Sequence, residues 1–258
     1  MDRPEIEEGY KTLVTNNLEK RLTWNLLIIE RGQIMKTSEV EAKLAKLEKK
    51  VEQLETKNQL TEDIEAIKKL QRAYGYYLEH WQEEELAGLW SHSPDVACEI
   101  NDFGLFKGWE GPQGVRSCFS FVDHYPAYGG LTKAPGEYLH ILIPLAGIVD
   151  VNPDGINAKG RWYGYFLGAM PREGQTRSLI GCGIWENEYV KEDGIWKFKK
   201  LFWSEIISSP LEEGWVKKPS ILNPPHRYSP PMGPNTKFAP YPSGYIFPYH
   251  YKNPVTRK

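Results

Sequence analysis

His140 stands at the head of an otherwise apolar run, Leu139-His140-Ile141-Leu142-Ile143, where a partly buried imidazole could move a proton. A carboxylate opposite it, such as Glu79, would hold the ring in one tautomer and tune its pKa toward the working pH. The plainer reading of a lone strand histidine is a hydrogen-bonded core or surface residue. Arg116, which follows Gly114-Val115, is the candidate to bind a phenolate or another oxyanion; an exposed helix arginine is the alternative. Helical spacing puts Arg72, Gly75, Tyr76 and Glu79 on one stripe, away from Ile67, Leu70 and Leu78. Such a polar stripe faces either a cavity, where Tyr76 could donate a hydrogen bond to substrate, or water. Aromatic residues make up 13% of the chain, enough to fill a core and still line a pocket. Tyr74, Trp90, Tyr163, Trp185 and Trp203 are the candidates to hold the rings of a small aromatic substrate.

Other chemistries lack their motifs. The sequence has no GxGxxG after a strand, no Walker lysine, no GxSxG and no HExxH. His80 and His92 are too far apart for one helix face, while His124, His226 and His250 are scattered in loop-like sequence, so no metal site is expected. Cys98, Cys118 and Cys182 are distant in sequence and predict buried thiols rather than a disulfide framework or zinc ligands. No cofactor is therefore expected. A net charge of -2 gives no general attraction to nucleic acid or to an anionic membrane surface. Apolar runs such as Leu139 to Val151 fall short of the ~20 residues of a membrane-spanning helix, and no secretory signal pattern opens the chain. These features predict a cytoplasmic protein acting on small molecules.

The elements that must position these residues follow from periodicity. Thr61 can cap a helix that carries Glu62 and Asp63 in its first turn and Ile64, Ile67, Leu70 and Leu78 along its stripe, ending near His80. A second helix is expected over 83–90 and a short third within 111–121. Alternating runs predict strands at 96–100, 138–151, 158–167, 180–190 and 195–203. Asp154-Gly155 and Asp193-Gly194 fall between such runs, as tight antiparallel hairpins require. The expected fold is α+β: a curved antiparallel sheet with helices packed on its concave face, forming a cone-shaped barrel over residues 61–205.

Two segments flank that domain. Residues 1–34 have no clear period and form an N-terminal extension; Met35 is expected to be the natural start, which intact-mass measurement of the natively expressed protein tests. Over 36–60, Val40, Leu44, Leu47, Val51 and Leu54 recur at alternating steps of four and three until Asn58 interrupts the series. This is either a short coiled-coil seam, giving a homo-oligomer such as a dimer or trimer, or an amphipathic helix lying on its own domain. Over 206–258, eleven of the nineteen prolines lie between Pro210 and Pro254, which excludes long helices and strands. The same segment keeps Trp215, Tyr241, Phe247 and Tyr249 among other aromatics, so it is expected to wrap as an arm on a neighbouring surface.

The stretch from Ile64 to Leu70, followed by Tyr74-Gly75-Tyr76-Tyr77-Leu78-Glu79, resembles the first helix of SnoaL-like proteins of the nuclear transport factor 2-like superfamily. The hairpin Glu186 to Phe198 resembles their terminal strands and is similar to the matching hairpin of scytalone dehydratase. The resemblance implies that Glu79 stands where that dehydratase has a pocket aspartate and His140 where it has the paired histidine. Leu78 replaces a pocket tyrosine, and the 158–167 strand has no second histidine. With the C-terminal Pro248 to Val255, the chain resembles SnoaL-like proteins that include lyases releasing formaldehyde from lignin-derived dimers. That likeness implies a cofactor-independent lyase of a phenolic compound. Its alternatives are a dehydratase or isomerase of another aromatic or polyketide-like compound, and a non-catalytic protein that binds a hydrophobic ligand or assembles partners.

Overall fold

The computed structural model describes residues 37–100, 104–120, 134, 136–172, 175–219 and 239–258. The N-terminal extension with Met35, and His124, His226, Tyr228 and Phe238, lie outside these residues.

Helix α1 is continuous over Thr37–Glu79. It does not restart at Thr61, as the capping pattern suggested. No proline interrupts it, and Asn58 Nδ2 donates to Glu62 Oε1 (2.8 Å) while Gln59 Nε2 donates to Asp63 Oδ1 (3.2 Å). These pairs span one helical turn and occupy the polar side chains that would otherwise compete for the backbone. A compact unit ends at Lys57 and a second runs over Asn58–Lys258.

In the second unit, α2 (Glu83–Gly88), α3 (Val115–Cys118) and α4 (Gly214–Lys217) are short. The six strands are β1 (Ala97–Ile100), β2 (Gly104–Lys107), β3 (Leu139–Val151), β4 (Asn157–Arg172), β5 (Gln175–Glu192) and β6 (Ile195–Pro210). They form one α+β sheet in the order β2-β1-β6-β5-β4-β3. All neighbours are antiparallel except β1 and β6, which run parallel. The sheet does not close, since β2 and β3 are its two edges. Register shifts between Leu145 and Ile148, Cys182 and Gly183, and Glu188 and Tyr189 bend the long strands and curve the sheet. Both anticipated turns occur: Asp154 Oδ1 accepts from the amides of Ile156 and Asn157, and Asp193-Gly194 has positive φ at both residues, 50° and 80°.

Period-two alternation gives the sheet one face packed by α1. Trp162, Trp185, Tyr189 and Phe198 are buried there with Ile67, Leu70 and Tyr74 of the helix. Polar groups fix the helix on that face. Gln71 Oε1 accepts from Asn187 Nδ2 and from the Tyr189 hydroxyl, each at 2.9 Å, and Tyr189 in turn accepts from Trp162 Nε1 at 3.0 Å. Asp63 Oδ1 accepts from Trp196 Nε1 at 2.9 Å and pairs with Lys191 at 2.6 Å.

The opposite face carries residues 239–258. Phe247 stacks on Phe202 at 4.6 Å, and the guanidinium of Arg161 donates to the carbonyls of Pro248 (3.0 Å) and Phe247 (3.3 Å). Arg161 also pairs with Glu186 at 2.8 Å and lies 4.4 Å from the centre of the Tyr249 ring. A proline-containing segment without regular structure offers few amide donors, so it is held here through carbonyls and rings. His250 adds a contact to Glu186 and a 3.3 Å approach to Asp150.

Candidate functional site

His140 lies on the α1-facing side of β3, because its register partners Gly168 and, two residues on, Leu142 with Phe166 lie on the same side as Trp162. Its ring is half-buried, edge-on to Phe166 at 5.2 Å and to Tyr138 at 6.1 Å. Nδ1 and the Tyr138 hydroxyl share a 3.1 Å hydrogen bond, with the donor set by the tautomer. Desolvation by these neighbours lowers the His140 pKa from 6.5 to about 4. The ring is therefore neutral at physiological pH.

Two contacts join the end of α1 to the start of β3. A Cβ on Gly75 would stand 2.7 Å from the carbonyl oxygen of Leu142, so the helix touches β3 there. Beyond the helix end, the Trp81 ring packs 5.1 Å from Tyr138. The chain turns at Trp81, whose φ is 55°, with Trp81 N–H bonded to Leu78 O (3.3 Å) and Gln82 N–H to Tyr77 O (3.0 Å). This is the paired closure of a helix C-terminus, with tryptophan where glycine is usual. Among the described residues no hydrogen bond or ion pair joins Glu79 to His140; the imidazole partner is Tyr138.

Gly75→Ala tests this helix–strand approach. Helix propensity alone would favour alanine by ~1 kcal/mol, whereas its Cβ must push the helix off β3 at a cost of roughly 1–3 kcal/mol. The expected result is a lower melting temperature; an increase would mean that the approach is loose.

Rings line the sheet around His140. Trp203 fills the space where Cβ atoms of Gly164 and Gly183 would stand, 2.3 and 2.5 Å from its ring, and Phe166 does the same over Gly168 and Gly181. Trp185 packs on Trp203 at 4.9 Å and on Tyr74 at 6.4 Å. Glu205, 5% exposed, pairs in register with Gly183 and shares this face with Trp203. Sequence reasoning missed Tyr138, Phe166 and Glu205. The signal for this surface was the run of strand glycines, which in a strand interior mark a close approach of another group.

The other candidates lie elsewhere. Tyr74 and Trp90 are core residues, packed with Phe119 and Phe198. Tyr76 is 67% and Tyr163 51% exposed. Thus the Arg72, Gly75, Tyr76, Glu79 stripe is divided, with Gly75 against the sheet and Arg72 and Tyr76 toward solvent. The Arg116 guanidinium is taken up by α2, bonding the Glu84 carboxylate and the Glu83 carbonyl. Cys98 and Cys118 are free, buried thiols 3.8 Å apart. Among the described residues, no three of His, Cys, Asp and Glu are grouped as a metal site requires, and no helix is long and apolar enough to cross a membrane.

Residues 59–201 match the family model of the SnoaL-like domain. The chain belongs to the SnoaL-like family. Among solved structures, this SnoaL-like chain is similar to a type 2 LinA hexachlorocyclohexane dehydrochlorinase, with 24% identity over 60% of this chain and 93% of that one and a TM-score of 0.48. It is also similar to a candidate scytalone dehydratase from Novosphingobium aromaticivorans (17% identity, 60% and 91% covered, TM-score 0.47). An NTF2-like protein with a cystatin-like fold from the same organism is 19% identical, with 64% and 92% covered and a TM-score of 0.41. No curated protein sequence matches the chain.

The low His140 pKa has a direct readout. Long-range proton–nitrogen correlation of the imidazoles across pH 3–9 should show His140 neutral at pH 5.5 and titrating at about 4. The folded pKa is depressed, so the contribution of the neutral ring to stability is complete above about 6.5 and is lost as pH falls toward 4. A His140 midpoint near 6.5 would contradict the dry setting.

Proposed function

We propose that this SnoaL-like protein is a cofactor-independent lyase acting on a small phenolic or otherwise aromatic compound. The observation that carries the reading is a half-buried imidazole on a ring-lined sheet face, hydrogen-bonded to the Tyr138 hydroxyl. In the tautomer with Nδ1–H donating to the Tyr138 oxygen, His140 Nε2 keeps a lone pair to accept a substrate proton. Glu79, one step along the helix from the Gly75 contact, would stabilise the imidazolium that forms. Trp203 and Phe166, both half-buried, offer flat apolar surfaces on which an aromatic ring can stack.

Within this class, the finer proposal is formaldehyde release from a lignin-derived dimer. A phenol-bearing substrate first loses its benzylic oxygen substituent, protonated as it leaves, to give a quinone methide. Removal of the proton from the γ-hydroxyl then breaks the bond between the γ-carbon and the adjacent carbon. Formaldehyde departs, and the electron pair restores the phenolate and forms the stilbene double bond. The protein must supply an acid, a base and stabilisation of phenolate charge, with acid–base catalysis contributing ~10² to 10⁴-fold.

Mass spectrometry of products from phenolic diarylpropane and phenylcoumaran dimers tests both levels. Loss of formaldehyde supports the finer reading, whereas loss of water alone or an unchanged mass with a new retention time assigns a dehydratase or isomerase. Binding of such compounds without any product would overturn the enzyme reading.

A further inference from the structure

We infer that the exposed N-terminal part of α1 pairs with the same segment of a second copy as a parallel, two-stranded coiled coil. This inference does not depend on the proposed reaction. Val40, Leu44, Leu47, Val51 and Leu54 are between 48% and 58% exposed, although they form one continuous apolar seam on a wound helix. Single exposed apolar residues are ordinary, but a seam with this period is not. In heptad notation Leu44, Val51 and Asn58 occupy a, and Val40, Leu47 and Leu54 occupy d.

The charges flanking the seam specify the occupant. Every g position is lysine (Lys43, Lys50, Lys57), and the e position five residues after each is glutamate (Glu48, Glu55, Glu62). In a parallel pair, g of one helix meets the following e of its partner, so each of these lysines faces a glutamate in both directions. In an antiparallel pair, g faces g and e faces e, which sets lysine against lysine and glutamate against glutamate. The pattern therefore complements a second copy of this chain in one orientation only.

The a and d residues set the number of strands. A β-branched residue at a with leucine at d, as at Val51 and Leu54, favours two strands. Asn58, the residue that breaks the apolar series, falls at a. A single asparagine there fixes register and oligomer state at some cost in stability, because only the in-register parallel dimer lets the two amides meet. It exposes its side chain along the helix in the single chain.

The test uses the full chain. Sedimentation equilibrium at micromolar concentration should give twice the 29.7 kDa chain mass. The double variant Leu47→Asp, Leu54→Asp should sediment as a monomer with an unchanged melting temperature, because both positions are exposed and their loss removes no core contact. Val40→Cys, oxidised with the parent chain as control for its native cysteines, should give a covalent dimer, since a parallel seam places residue 40 beside its counterpart. Retention of the dimer by the double variant, a trimeric or monomeric parent, or no covalent dimer from Val40→Cys would each overturn the proposal.

Discussion

Asp63→Ala should cost ~3 kcal/mol and lower the melting temperature by roughly 6–12 °C, as measured by thermal unfolding. The Asp63 side chain is 7% and that of Lys191 16% exposed, and the same carboxylate also accepts from Trp196 and Gln59. Removing one member of a buried pair leaves the other charge without compensation, typically at 3–5 kcal/mol. The lower end applies because Lys191 retains a route to water. Burial pushes the Asp63 carboxyl up, but hydrogen bonds from Lys191, Trp196 and Gln59, with the charge of Lys191, outweigh it and lower the pKa. The depressed folded value means that its stabilisation is complete above the ordinary carboxylate pKa of about 3.9 and is lost as pH falls through the folded value. Wild type and Asp63→Asn should therefore converge in stability as pH falls through that folded value. A constant difference from pH 7 to 2 would mean that packing, not charge, accounts for the loss.

The sequence marked Asp63 only as a first-turn acid, and its pairing with Lys191, 128 residues later in the chain, was not legible there. Strands β3 to β6 follow from two-residue alternation and from the Asp-Gly turns, because each buries one face. Strand β2 escaped notice: Gly104–Lys107 is four residues long and pairs only with β1, too short a run for alternation to register. Thr61 is a competent cap residue, yet a cap acts only where the backbone leaves the helix, and side-chain pairs one turn apart keep it wound there. The elements that carry the proposed pair were legible: His140 falls on an apolar strand and Glu79 at the end of the first long helix. The place of Arg116 was not, since its fate depends on Glu84, 32 residues earlier in the chain and adjacent only through the packing of α2 beside α3. Tyr138 was similarly hidden, because nothing in the residues between them says that Trp81 will turn beneath it. That turn needs a left-handed residue, and sequence rules assign that position to glycine.

If His140 is the base, His140→Asn should lower kcat/KM by ~10² to 10⁴-fold while leaving the affinity for a non-reacting substrate analogue within about a factor of three. Asparagine places a polar atom near the position of Nδ1, so the bond to Tyr138 can persist while Nε2 is lost. Stability should then change little, which separates a chemical role from a structural one. The pH dependence sharpens the distinction. A base with a pKa of about 4 is already deprotonated at pH 6, so kcat/KM should stay level from neutrality to about pH 5 and fall below it, not near the 6.5 of an ordinary histidine. Glu79→Gln keeps a side chain of the same size but removes the charge proposed to favour imidazolium. It should lower kcat more than it raises KM, because its stabilisation develops only as the proton is transferred. If His140→Asn instead weakens analogue binding as much as it slows turnover, the imidazole is part of the binding surface and the proton is moved by another group.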